Sequence, residues 1–339
     1  MVLGVVAVAA AATAAVSAAA AAAADVAVRT PLDVPATKSA LAIRAPLNAM
    51  VRAGTRLVVA GQRGHVLYSD DGVAWAQAEV PVSADLTALH FATPKLGWAV
   101  GHEGVVLHTS DGGATWQRQL DGRAIGALLA PAGGAAADAG TDKALLDVWF
   151  ENEKDGWAVG AFNLILRTED GGARWTAWSE RSDNPKGMHL YAIRPAGGTL
   201  FIVGEQGLVL KLDRQKQRFT AVPLPYQGTL FGVVGDERLT LVYGLRGNAW
   251  RSTDGGASWT KAETGVAAGL SSALLRADGT LLLASQAGHL LRSSDHGASF
   301  SRVEQRAAAP TFAVAEAAGG AIALAGIGGV RIQPLKPAP

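Results

Sequence analysis

Beyond residue 40 the chain is a succession of short apolar runs separated by Gly-bearing polar breaks. Residues 84–120 carry the full pattern: LTALHFA, LGWAV, the turn GHEG, VVLHTS, then DGGATW and a short polar QRQL. Apolar runs this short, rich in Val, Leu and aromatic residues and bounded by glycines, predict antiparallel strands rather than helices. The order returns as LLDVWFE, DGWAVG, AFN, LILRT and EDGGARW from 145, and as LYAIRP, TLFIVG, EQG and LVLKL from 190. The aromatic residue closing each copy stands at Trp75, Trp116, Trp175, Phe219, Trp259 and Phe300, giving steps of 41, 59, 44, 40 and 41 residues. The long step contains an Ala/Gly-rich loop insertion, GRAIGALLAPAGGAAADAGTD, at 122–142. Without it the period is that of a four-stranded propeller blade. A seventh copy, TFAVAEA, AIALAG, IGG and VRIQPL, ends after three strands. The pattern therefore predicts an all-β, seven-bladed β-propeller of four-stranded antiparallel blades filling 25–339 as one domain. The segment Asp25–Ile43 is expected to supply the missing strand and close the ring, hiding edge strands that an open array would expose.

The element between third and fourth strands repeats most clearly: HTSDGGATW at 108–116, RTEDGGARW at 167–175 and RSTDGGASW at 251–259. Weaker copies are LYSDDGVAW at 67–75 and RSSDHGASF at 292–300, while blade four has DRQKQRF instead. This places Asp70, Asp111, Asp170, Asp254 and Asp295 in turns, with Trp75, Trp116, Trp175, Trp259 and Phe300 behind them. An Asp here can accept bonds from the amides of its own turn, Gly supplies positive φ, and the aromatic ring can bury between sheets. One such turn per blade cannot converge on a single substrate, so the predicted role of these carboxylates is structural.

The repeat resembles the bacterial neuraminidase repeat, or Asp-box. The longer phrase GWAVGHEGVVLHTSDGGATW, echoed by GWAVGAFNLILRTEDGGARW, most resembles the photosystem II stability and assembly factor family. That resemblance spans about 41–335 and implies a seven-bladed, non-enzymatic scaffold that docks onto a membrane-protein client or envelope complex during assembly. The lipid-bearing Cys of some relatives has no counterpart, because the chain contains no Cys.

The missing thiols also exclude disulfides, thiolate catalysis and Cys-ligated metals. Charged residues make up 17% and nearly balance at a net +1, which gives no basic footprint for nucleic acid. The seven His residues (65, 90, 102, 108, 189, 289 and 296) show no metal-binding spacing, and GIGGVR at 326–331 lacks the strand–helix context of a dinucleotide site, so no metal or cofactor is expected. Residues 2–24 form an uncharged, Ala-rich run ending at small residues. They read as a signal peptide over 1–24 or an N-terminal anchor, and predict a periplasmic or secreted protein, membrane-associated if the segment is retained. Separately, the chain is expected to be monomeric.

Turns between second and third strands should all emerge at one end of the ring, opposite the Asp-boxes. Their varied residues nominate Arg63, His102, Glu103, Phe162, Asn163, Glu205 and Arg246 as a binding surface, with Arg181 from the 181–189 connection. A basic residue or His precedes the Asp-box position in five copies, at His108, Arg167, Lys211, Arg251 and Arg292. Its expected role is local stacking or pairing beside the turn; the alternative is a ring of charge meeting an acidic client. Two other functions compete with client binding. A carbohydrate or small-ligand module would show aromatic exposure in the central channel. A sialidase-like glycoside hydrolase would need an Arg cluster with a Tyr nucleophile, or two carboxylates about 5–10 Å apart. The four tyrosines (68, 191, 226 and 243) offer no such constellation: Tyr68 falls in the slot of Thr109, and Tyr243 in a core strand. Ile193-Arg194-Pro195 resembles the Arg-Ile-Pro signature in the wrong order, and Glu103, Glu205 and Asp183 lie in no recognisable motif.

Overall fold

The structure, a computed structural model, describes residues 29–130, 143–305 and 307–335. The proposed signal peptide or anchor at 1–24 lies outside them, as does 131–142 of the insertion. Seven antiparallel sheets follow one another along the chain, at 47–77, 86–120, 145–177, 190–221, 230–261, 270–302 and 311–333. In each, sequential strands pair as neighbours, the first strand innermost. This is the seven-bladed propeller that the repeat predicts.

A four-stranded sheet cannot bury its own two faces, and the buried side chains sort accordingly. They form seven clusters, each joining two consecutive blades, with the last joining blade seven to blade one. The aromatic that closes each unit packs back onto the preceding blade. Trp116 lies with Val58 and Leu89 between blades one and two, and its ring meets Phe91 edge-on at 6.1 Å. Trp175 meets Phe150 edge-on at 5.9 Å between blades two and three. Phe219 does the same beside Trp157, although its blade has lost the Asp-box.

The Asp-box carboxylates serve their own turns. Asp111 accepts from the amides of Ala114 and Thr115 and from the Thr109 and Thr115 hydroxyls, at 2.7–3.0 Å. Asp254 is held in the same way, and its bond from the Ser258 hydroxyl, first among several, lowers its pKa to about 2. With their oxygens committed to the turn, these groups are placed for architecture. Blade one departs from the expected assignment: Asp71, not Asp70, accepts from Ser69, Val73 and Ala74. This copy is one residue shorter between Asp and Trp, so counting back from Trp75 selects the wrong carboxylate. Asp70 instead forms a two-pronged ion pair with Arg56. Tyr68 likewise stands opposite Val58, as His108 stands opposite Trp98, so its counterpart is His108 and not Thr109.

Side chains of one blade also fasten the Asp-box of the next. The Trp98 indole and the Gln119 amide both donate to Gly171 O, and Lys211 Nζ donates to Gly255 O at 2.8 Å. The basic position therefore acts locally: Lys211 through this bond, Arg167 by lying over Trp157 and Trp178, and His108 by packing against Trp98.

Two elements take forms the sequence did not predict. Residues Gly122–Leu129 of the insertion form a helix, α1, capped by Asp121. Blade seven has three strands among the described residues, and no N-terminal strand joins it there. A 3-10 turn, Ala42–Arg44, lies beside its third strand instead, so close that a side chain at Gly329 would strike Ile43 O. The ring is thus closed by packing Leu47, Met50, Leu57 and Trp75 against Ala313, Ala315 and Ala323.

Replacing Trp116 by Ala should lower unfolding free energy by about 3–5 kcal/mol. Val73→Ala, at an 84% exposed site in the blade-one turn, should leave it nearly unchanged. Urea titration of the two variants compares them directly.

Candidate functional site

The turns between second and third strands do emerge together, at the end of the ring where each first strand begins. In six blades a glycine ends the second strand, where there is little room for a side chain; blade six has Ser285 in its place. A Cβ on Gly61 would sit 2.3 Å from Pro46 O, and one on Gly101 2.1 Å from Asp85 O. The next residue bonds to that same carbonyl, locking each turn onto its own first strand. The turn centre is left-handed, at Arg63, Glu103, Phe162, Gln206 and Arg246, with φ between 54° and 59°. Four of these are polar, but Phe162 is a bulky ring that is strained in this region and 55% exposed.

Phe162 is held by His189 at both its backbone and its ring. Its amide donates to His189 Nδ1 at 2.8 Å, which fixes the Nε2–H tautomer, and its ring meets the imidazole edge-on at 4.6 Å. Glu205 Oε2 accepts from the His189 amide at 2.8 Å. Two predicted residues on neighbouring blades are thus joined through His189, which the sequence reading did not select. The arc continues to blade five, where the Tyr226 hydroxyl donates to Leu245 O beside Arg246.

Other nominated residues behave differently. Asn163 is consumed internally: its amide donates to Ser179 O and its oxygen accepts from Ser182 and Asn184, so it shapes the 179–189 connection. Arg181 lies over the Trp178 ring at 4.8 Å. Arg63 bonds through its amide to Asp85, away from the arc on blade one. His102 and Glu103 stand on blade two, where α1 packs over Gly104. The suggested carboxylates do not form a pair: Asp183 is bound to Arg218 at 2.8 Å, while Glu205 holds His189.

This end of the ring is also the apolar one. Of the large apolar side chains exposed among the described residues, Leu41, Leu128, Phe162, Leu245 and Ile327 stand here, whereas Val73 and Ile332 lie elsewhere. Between the first strands an axial cavity of about 200 Å³ opens. Half-buried Tyr191 and Phe231 meet edge-on at 5.5 Å in its wall, and neither was nominated. Deeper on the axis, Asp147 accepts from the Ile193 amide and from Arg194 Nη1. Burial pushes the Asp147 carboxyl up, against the opposing pull of Arg194. His90, buried beside Trp149, bonds through Nε2 to Phe150 O; burial, helped by Arg194, pushes its pKa down to about 3.

A family model described as "Photosynthesis system II assembly factor YCF48" matches residues 66–125 and 135–314, well over half the chain. The chain belongs to the YCF48 family. It is 29% identical over 161 residues to the photosystem II assembly lipoprotein Ycf48 of Synechococcus sp. (strain CC9902), covering 45% of this chain and 47% of that protein. It is 28% identical over 213 residues to Ycf48 of Synechococcus sp. (strain JA-2-3B'a(2-13)), covering 54% and 61%. The chain thus spans about half the length of these curated relatives. Among solved structures, it superposes on YCF48 bound to D1 peptide with a TM-score of 0.66 at 16% identity, covering 87% of this chain and 95% of that one. A streptogramin B lyase matches at a TM-score of 0.69 and 12% identity, covering 87% and 95%. At such identities both likenesses establish the propeller fold alone, and the same frame in a lyase shows that the frame does not choose the activity.

The buried imidazole on the first strand of blade two yields a pH test. His90 takes up a proton near pH 3 when folded and near 6.5 when unfolded, so its contribution to stability is present above pH 6.5 and lost as pH falls towards 3. From pH 7 to pH 5 it should cost about 2 kcal/mol of unfolding free energy, a loss that His90→Gln should largely remove. Urea titrations at the two pH values measure it.

Proposed function

We propose that this protein is an exported, non-enzymatic propeller that binds a membrane-protein client through its turn-bearing end and supports that client's assembly. The observation carrying this reading is the Phe162–His189–Glu205 arc. A bulky residue held against its backbone preference and left half in water, with its ring packed only on His189, is more than core packing asks for, whereas a docking surface uses such an anchor. Leu128, Leu245 and Ile327 extend the apolar relief at the same end, and Arg246 adds polar contact to the arc. Membership in a family described as assembly factors, and a relative solved with a D1 peptide, support a membrane-protein client for this chain. Export, to the periplasm or beyond, rests on the uncharged run at 2–24, which ends in small residues suited to cleavage. The non-enzymatic role rests on the Asp-box carboxylates being bound into their turns and on Glu205 and Asp183 having separate partners.

The test is crosslinked capture of the tagged protein from solubilised native membranes, read by mass spectrometry. Wild type should enrich a membrane protein that Phe162→Asn and Leu245→Ser/Arg246→Ala each retain at least fivefold less well. Asn tolerates the left-handed backbone, so Phe162→Asn should unfold no earlier than wild type, and up to about 1 kcal/mol later. Equal capture by both variants would sink the assignment of this face. Capture of no membrane protein would sink the client reading itself.

A further inference from the structure

The seven first strands share one irregularity. Each shifts register around its second residue, at Asn48, Thr87, Leu146, Tyr191, Phe231, Ser271 and Phe312. Asn48, Thr87 and Ser271 use that place to bond the next blade's first strand: Asn48 to Leu86 O, Thr87 to Leu145 O and Ser271 to Thr311 O. Blades three to five give the position to Leu146, Tyr191 and Phe231, an apolar, largely aromatic arc on one side of the channel, and blade seven gives it to Phe312.

One level deeper the blades carry Ala49, Ala88, Ala192, Gly232, Ser272 and Ala313, and these small residues leave the cavity open. Blade three alone places a carboxylate there, Asp147. Two positions further along, blade four alone places a guanidinium, Arg194, where other blades have residues such as Val51, Trp149 and Leu274. A buried ion pair is a poor stabiliser compared with apolar packing of the same volume, and the other blades form without one. The pair is therefore not required by the fold, and it faces an open cavity.

The hydrogen bonds show which chemistry is unused. Asp147 accepts from Val148, Ile193 and Arg194, which leaves it little capacity. Arg194 spends Nη1 on Asp147, Val148 O and Ile193 O, while its Nε and Nη2 make no hydrogen bond among the described residues. The Tyr191 hydroxyl, in the same wall, has none there either. Unmatched donors beside an aromatic wall call for a ligand that brings acceptors and an apolar body. A neutral sugar, with as many donors as acceptors, fits this imbalance less well than a carboxylate does.

We propose that the axial cavity binds a small organic acid, its carboxylate on the Nε–Nη2 edge of Arg194 and its apolar body against Tyr191 and Phe231. The guanidinium then bridges two carboxylates, Asp147 on one side and the ligand on the other. This site is distinct from the turns assigned to the client and does not rest on that assignment.

Calorimetric titration of the purified full chain with 3-phenylpropionate, hexanoate, 3-phenylpropionamide and methyl β-glucoside tests it. At least one acid should bind with a Kd below about 1 mM, and 3-phenylpropionate at least tenfold more tightly than its amide. Asp147→Ala/Arg194→Val, which gives both positions residue types found on other blades, should remove binding of the acid without lowering the melting temperature. Arg194→Lys keeps a charge opposite Asp147 but not the planar fork, and should weaken binding at least fivefold; it serves as the readout if the double variant does not fold. Three results would each overturn the proposal: neither acid binding below about 1 mM, the amide or the glucoside binding as well as the acid, or Arg194→Lys binding like wild type.

Discussion

Burial between consecutive blades is the constraint on which the rest of this structure depends. A single twisted sheet of four short strands leaves both faces exposed, and only a neighbour on each side covers them. The closing aromatic residue performs that covering by packing back onto the previous blade, and the Asp-box turn fixes the backbone from which it projects. Blade four clarifies which part matters more. It has lost the carboxylate turn and kept the ring at Phe219, which is fully buried between blades three and four. The staple is dispensable in one blade; the wedge is retained.

Ring closure follows from the same physics. Blades one and seven share a cluster in which Trp75, Leu47 and Met50 lie against small residues of blade seven. Parallel backbone contacts add to the wedge at alternate interfaces, where Glu79 meets Thr115, Ser182 meets Phe219 and Glu263 meets Ser299. The interfaces between blades two and three and between four and five rely instead on side chains reaching Gly171 and Gly255. Because the frame is secured in this way, the ends of the strands are free to differ from blade to blade.

Those differences concentrate on blades three to five. At the outer rim they place Phe162, His189 and Glu205 in one connected group, with Tyr226, Leu245 and Arg246 following. At the channel they place Tyr191 and Phe231, and below them Asp147 with Arg194. A rigid ring that repeats its backbone seven times while varying its side chains on one arc resembles other scaffolds that carry recognition on their loops. The family relationship fits such a use, and the lyase of similar fold shows that the frame alone would not have chosen it.

The sequence by itself determined the blade count, the strand order and the place of each turn, because these follow from local periodicity and from residue types with local effects. Gly after a second strand, Asp in a box and Trp behind it act within a few residues of themselves, so their spacing is legible in one dimension. It also located the end of the ring where Phe162, Glu205 and Arg246 emerge. It misassigned Asp70 for Asp71, because a one-residue deletion inside a turn leaves both alignments plausible until the Ser69 hydroxyl is seen to choose. It could not foresee that Asn163 turns inward, that the start of the insertion folds as a helix, or that a 3-10 turn takes the place expected of an N-terminal strand. Tyr191, His189, Asp147 and Arg194 were unreadable for a different reason. Each looks like an ordinary member of its own unit, and its meaning comes from a partner on the next blade or across the axis. Contacts between blades depend on how the sheets are turned about the ring, and only the tertiary structure decided that.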